Sequence, residues 1–167
     1  MSDGVTERVR AFLDREAADG LVTVLGSTER AWDVMVPSYW KESIALSLEV
    51  RDRTLRAEAF FMRGPDEDEG PAYQLLLQRN QTSRAWRFSA SEAGDVWLVA
   101  DVPLEAVDDE GLDRLLGEVV TITDETYRPY FRVAFRTALD DQVRRGGPGI
   151  DQAPPWARAA DAPPNGR

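Results

Sequence analysis

The sequence has no cysteine and no histidine, and Lys41 is its single lysine. Without cysteine there are no disulfides, no thiolate nucleophile and no cysteine zinc site. Without histidine, Ser-His-Asp and Cys-His centres and imidazole metal sites drop out together. Ser-Lys chemistry would fall to Lys41 alone, and a lysine between two predicted strands is not expected to carry it. Long apolar runs are missing as well. None approaches the ~20 residues of a membrane-spanning helix, and Met1-Ser2-Asp3-Gly4 has no basic-then-apolar leader. No glycine-rich loop follows a strand and opens a helix. Gly146-Gly147-Pro148-Gly149 comes after a helix and lacks the Lys-Ser/Thr of a phosphate cradle. These absences together lead to the expectation of a cytoplasmic protein with no cofactor, no metal and no catalytic residues.

Charge of one sign dominates instead. Thirty acidic residues against 20 basic ones leave a net charge of −10. Phosphate backbones and anionic lipid surfaces are repelled by such a field, so neither nucleic acid nor membrane is expected as a partner. Arg144-Arg145 is the only adjacent basic pair. Carboxylate pairs remain as a route to acid–base chemistry and define one alternative, a carboxylate-based enzyme. The best-placed pair, Asp95 and Asp101, would lie more than ~15 Å apart along a regular strand, too far for a glycosidase. Asp66-Glu67-Asp68-Glu69-Gly70 looks superficially like a calcium loop. Gly70 stands where the fifth position needs an oxygen ligand, and Leu77 where the twelfth needs Glu, so it reads as a solvated acidic loop.

Apolar residues form 43% of the 167, enough for one globular domain. Val5–Ala18 has the 3.6-residue period of an amphipathic helix, stopped by Gly20. Trp32–Val36 and 44–50 alternate as strands. Thr54–Met62 follows after the turn Arg51-Asp52-Arg53, making a hairpin. Pro71 opens a helix running to about Asn80, with Tyr73, Leu76 and Leu77 inward. Ala85–Ala90 and Asp95–Val102 are two further strands. Asp108 is the N-cap of a long last helix, whose apolar stripe keeps its phase across Pro129 and so predicts one kinked helix. The order α-β-β-β-α-β-β-α gives an α+β fold: an antiparallel sheet of about five strands with helices packed on it. Residues 1–145 form the domain. From 146 to 167, five prolines and few large apolar residues predict a flexible tail, with Trp156 as its one candidate for docking on the body.

Alternation also sorts the strands into two faces. Ile44, Leu46, Leu48, Leu55, Ala57, Ala59, Phe61, Trp86, Phe88, Val96, Leu98 and Ala100 share an apolar face, the expected core. The opposite face is mixed. Phe60, Met62, Trp97 and Val99 form an apolar centre, with Arg56, Arg87, Glu58, Asp95 and Asp101 around it. Such a centre approaches the largest patch a monomer usually exposes. Three readings of it stay open: cover by the long final helix or simple packing of Trp97 on neighbouring side chains, a homodimer contact, or a groove for an apolar or amphipathic peptide.

The segment Tyr73-Gln74-Leu75-Leu76-Leu77-Gln78-Arg79-Asn80, the strand from Asp95 to Leu104, the closing helix with Tyr127-Arg128-Pro129 and the element order resemble the actinobacterial YbjN-like proteins. That family is related in fold to type III secretion chaperones. The resemblance covers about Val5 to Phe135. It implies a compact domain, often dimeric, that binds a polypeptide client or a regulatory protein partner, and it supplies no catalytic residues. The function expected is non-catalytic peptide or protein binding with a chaperone-like or regulatory role. The alternative is a structural homodimeric subunit with the mixed face as a permanent interface.

Overall fold

The computed structural model describes residues 2–154, and Trp156 lies outside them. The chain runs α1 (Ser2–Ala18), β1 (Thr23–Ser27), β2 (Ala31–Ser38), β3 (Glu42–Val50), β4 (Thr54–Met62), α2 (Glu69–Asn80), β5 (Arg87–Ala90), β6 (Val96–Pro103), α3 (Asp109–Ala134) and α4 (Arg136–Arg144). One antiparallel sheet holds six strands in the order β1-β2-β3-β4-β6-β5. The α+β architecture agrees with the sequence, but the strand count is six. The additional strand is β1. All five of its residues are exposed, and its register slips between Val24 and Gly26. A strand with no buried face leaves no alternation to read, and the bulge blunts the free edge it presents.

Local chemistry explains where elements end. Gly20, at φ +74°, closes α1: its N–H bonds to the Ala17 carbonyl, and the Leu21 N–H reaches back to Glu16. This is the left-handed helix end that glycine adopts without a Cβ penalty. The Asp108 carboxylate caps α3 by accepting the Gly111 N–H at 2.7 Å. α3 runs unbroken through Pro129, because Thr126, Tyr130 and Ala134 keep their buried side in phase. The helix breaks six residues later, at Phe135, whose φ of −137° is not helical. α2 departs from expectation in one residue: Leu77 is 65% exposed, while Ala72 and Leu76 are buried.

The core lies between the helices and one face of the sheet. All twelve residues assigned to that face by alternation are buried. Trp86 is fully enclosed, and its indole N–H donates to the Leu115 carbonyl of α3 at 2.9 Å. Phe61 packs edge-on to both Phe88 and Tyr130, with centroids 5.1 and 5.6 Å away. α3 therefore covers the Trp86 side of the sheet, not the Trp97 side. Two buried-edge carboxylates of α3 hold loops to this frame. Asp124 accepts from the Ser38 hydroxyl and from the Tyr39 and Trp40 N–H groups, and Glu118 accepts from the Arg84 and Ala85 N–H groups.

Candidate functional site

Among the described residues, no helix covers the second face of the sheet. Its residues on β2, β3, β4 and β6 are half-buried or exposed, alternating with the buried set. β4 and β6 are neighbours, and their register sets Phe60 opposite Trp97, Glu58 opposite Val99 and Arg56 opposite Asp101. Phe60 and Trp97 meet edge to face at 5.2 Å, the arrangement ring quadrupoles favour. Arg56 bonds Glu58 at 2.9 Å and also reaches Asp101 across the strands, so its charge is matched locally. A trough of about 430 Å³ extends from the aromatic pair over β3 to β1. Its floor includes Gly26, Ala45 and Ser47, and Leu25, 61% exposed, stands at the far side. Small floor residues between bulky walls leave a channel running across the strands. Leu25 was missed with β1. The only sequence signal was the short β-prone run Val22-Thr23-Val24-Leu25 between Gly20 and Gly26.

One residue assigned to this face stands elsewhere, and a second is turned aside at its edge. Met62 leaves it, because the β4–β6 register shifts between Phe60 and Met62 and sets Met62 against Val96. It is 9% exposed and belongs to the core cluster. A bulge reverses side-chain parity, which is why alternation placed Met62 wrongly. Arg87 pairs opposite Val99, yet its guanidinium turns back to the carbonyls of Ser83, Arg84 and Trp86. It braces the loop before β5. Asp95, just before β6, and Asp101, within it, are separately engaged: Asp95 accepts the Gly64 N–H at 3.0 Å, and Asp101 takes Arg56.

Lys41 closes one end of the face. Its ammonium donates to the Phe60 carbonyl and sits 5.0 Å from the centre of the Phe60 ring. Among the described residues no carboxylate lies within ion-pair distance of it. Burial pushes its pKa down from 10.5 to about 8. Ser38-Tyr39-Trp40-Lys41 has the Ser-x-x-Lys spacing of Ser-Lys nucleophilic sites, a match the expectation above overlooked. The geometry does not join the pair. The Ser38 hydroxyl donates to Asp124 at 2.7 Å, and the lysine amine is turned to Phe60. Only the backbone N–H of Lys41 contacts Ser38 Oγ.

The acidic loop is also engaged by protein groups. Arg63 binds Asp66 and holds its carboxyl below the usual range, Arg136 binds Asp68 at 2.8 Å, and Glu67 accepts the Thr137 N–H. No cluster of three potential metal ligands occurs among the described residues. A separate cleft of about 340 Å³ opens between α2 and α3 beside Arg79, Arg84 and Arg114. Its main acid, Glu118, is committed to the Arg84 and Ala85 backbone.

An α+β domain with one helix-covered and one open sheet face is thus the class of protein at hand. Residues 6–132 match the YbjN family model, described as "Putative bacterial sensory transduction regulator", and the chain belongs to that family. An uncharacterized protein of Mycobacterium tuberculosis is 32% identical over 114 residues, covering 68% of this chain and 62% of its own length. An uncharacterized protein of Mycobacterium leprae is 29% identical over 103 residues, 59% of this chain and 56% of its own. The chain thus spans less than two-thirds of the length of these relatives. Among solved structures, the heterodimeric ExoU–SpcU complex of the Pseudomonas aeruginosa type III secretion system aligns at TM-score 0.45 and 16% identity. That alignment covers 75% of this chain and 97% of the matched one.

Proposed function

We propose that this domain binds a polypeptide, without catalysis, on the open face of its sheet, in a regulatory or chaperone-like role. One observation carries the reading: the Phe60–Trp97 pair lies on a face that no helix among the described residues covers and continues into the ~430 Å³ trough. Aromatic rings give large contact area at small entropic cost, and a central aromatic anchor inside a charged rim is how interfaces concentrate affinity. Phe60 and Trp97 are the anchors here. Val99, Arg56 and Glu58 form the side of the rim nearest them, and Arg87 stands at its outer edge. Residues 1–145 constitute the binding domain and 146–167 its appendage. The family's regulatory description agrees with a binding role. The net charge of −10 argues against nucleic acid. No helix among the described residues is long and apolar enough to cross a membrane, and we place the domain in the cytoplasm.

The test is selection of peptides from a displayed library on the wild-type chain, each hit then measured by calorimetry on Phe60→Ala/Trp97→Ala. Loss of binding with an unchanged far-UV spectrum supports the proposal. Unchanged affinity refutes it. Size-exclusion chromatography on dilution addresses the alternative of a permanent homodimer: a dimer that resists dilution and is split by the same double substitution assigns the face to self-association.

A further inference from the structure

On the far side of Lys41 from the sheet face, three elements build a second trough. Asp124 fixes the β2–β3 loop through the Trp40 N–H, at 3.1 Å. The Arg128 guanidinium lies 4.1 Å from the centre of the Trp40 ring. Tyr127 and Phe131, one turn apart on α3, stack at 5.9 Å, and Leu139 of α4 completes the wall. α3 thus presents two cations, Arg128 and Arg132, beside an aromatic floor on an otherwise acidic molecule.

The chain itself fills this trough. After α4, Gly146 takes φ +80° and the backbone reverses. The following residues run back along α3 and enclose a space of about 170 Å³ against Trp40, Tyr127 and Phe131. Four contacts hold them. The Gln142 amide donates to the Pro148 carbonyl at 2.7 Å, the Asp151 carboxylate receives both Arg128 and Arg132, Ile150 is half-buried, and Pro154 is buried. The segment turns over Gly149–Gln152, closed by the Gln152 N–H to the Gly149 carbonyl at 3.1 Å, and the charged fork on Asp151 fixes its place in the groove.

We propose that this trough is a second peptide-binding site, occupied in cis by residues 148–154, and that its external ligands are turn-forming acidic segments with an apolar residue beside the acid and a proline three residues on. The internal segment is a competitor. Tethering by a short glycine-containing link gives it an effective concentration on the order of mM. Its ion pairs are solvent-exposed and therefore weak, so a better-matched partner displaces it. The site shares no anchor with the Phe60–Trp97 pair, and its failure leaves the sheet-face reading untouched.

The experiment uses the full chain and a fluorescein-labelled peptide of residues 146–154, followed by anisotropy. Asp151→Arg sets like charges against Arg128 and Arg132 and releases the segment. The labelled peptide is expected to bind that variant at least tenfold more tightly than wild type. Adding Arg128→Gln and Arg132→Gln abolishes the gain. A peptide with Asn in place of the acid loses the binding too, a control that does not depend on how any variant folds. Equal binding to wild type and Asp151→Arg, including none to either, overturns the proposal. So does binding indifferent to the acid in the peptide.

Discussion

Lys41 is the chain's only lysine, so its side-chain amine titrates without interference from other lysines. Burial lowers its pKa from 10.5 to about 8. At 1.36 kcal/mol per pH unit the difference has an upper bound of ~3.4 kcal/mol. Water still reaches the half-buried side chain, so about 1–2 kcal/mol is the expected effect on stability. The sign follows from proton binding. Between pH 8 and 10.5 the unfolded chain holds the proton that the folded chain has released, so stability rises with pH in that window. Below about pH 8 the full cost of the buried charge is present. Tyr73, Tyr127 and Tyr130 act oppositely: burial raises their pKa, and they destabilise the fold above about pH 10. The clean interval is therefore about pH 8 to 10. The measurement is the pH dependence of Lys41 acylation, localised by peptide mass spectrometry, with urea denaturation of wild type and Lys41→Met across the same range. The acylation midpoint should lie near 8, and wild type should gain on the variant as pH rises. A midpoint of about 10 or higher, the range of a solvated lysine, would refute the burial argument.

Three further outcomes follow from packing. Phe61→Ala should cost about 3–5 kcal/mol, because Phe61 is wedged between Phe88 and Tyr130; Phe60→Ala, one residue away on the open face, should cost about 1–2 kcal/mol. Urea midpoints decide it, and equal losses contradict the assignment of faces. Asp124→Ala should cost about 2–3 kcal/mol, since it strips three donors at Ser38, Tyr39 and Trp40 of their acceptor; a loss under about 0.5 kcal/mol would show that water replaces the carboxylate. Leu77→Glu should leave stability within about 0.5 kcal/mol, as expected of an exposed position, and a loss above about 2 kcal/mol would mean that Leu77 is covered.

What the sequence disclosed and what it hid divide along physical lines. Alternation in 44–50, Thr54–Phe61 and Val96–Ala100 is a local signal of period two, and it sorted the core face correctly. It could not register pairing irregularities. The bulge after Phe60 comes from how β4 meets β6, so Met62 was assigned to the wrong side. β1 carries no buried face and left no period at all. Leu77 continues an apolar helix pattern without being covered. The carbonyl of Phe60 as partner for Lys41, and Asp151 as partner for Arg128 and Arg132, are tertiary facts with no spacing to betray them.

The proposed landing place for a polypeptide is the aromatic pair beside the trough. Indole N–H resonances of a nitrogen-labelled sample test this directly, because three of the five tryptophans report three environments: Trp97 the sheet face, Trp40 the α3 trough, and Trp86 the sealed core. Titration with a selected peptide should move the Trp97 signal in step with binding while Trp86 stays fixed. Saturating binding with Trp97 unmoved would contradict the central claim.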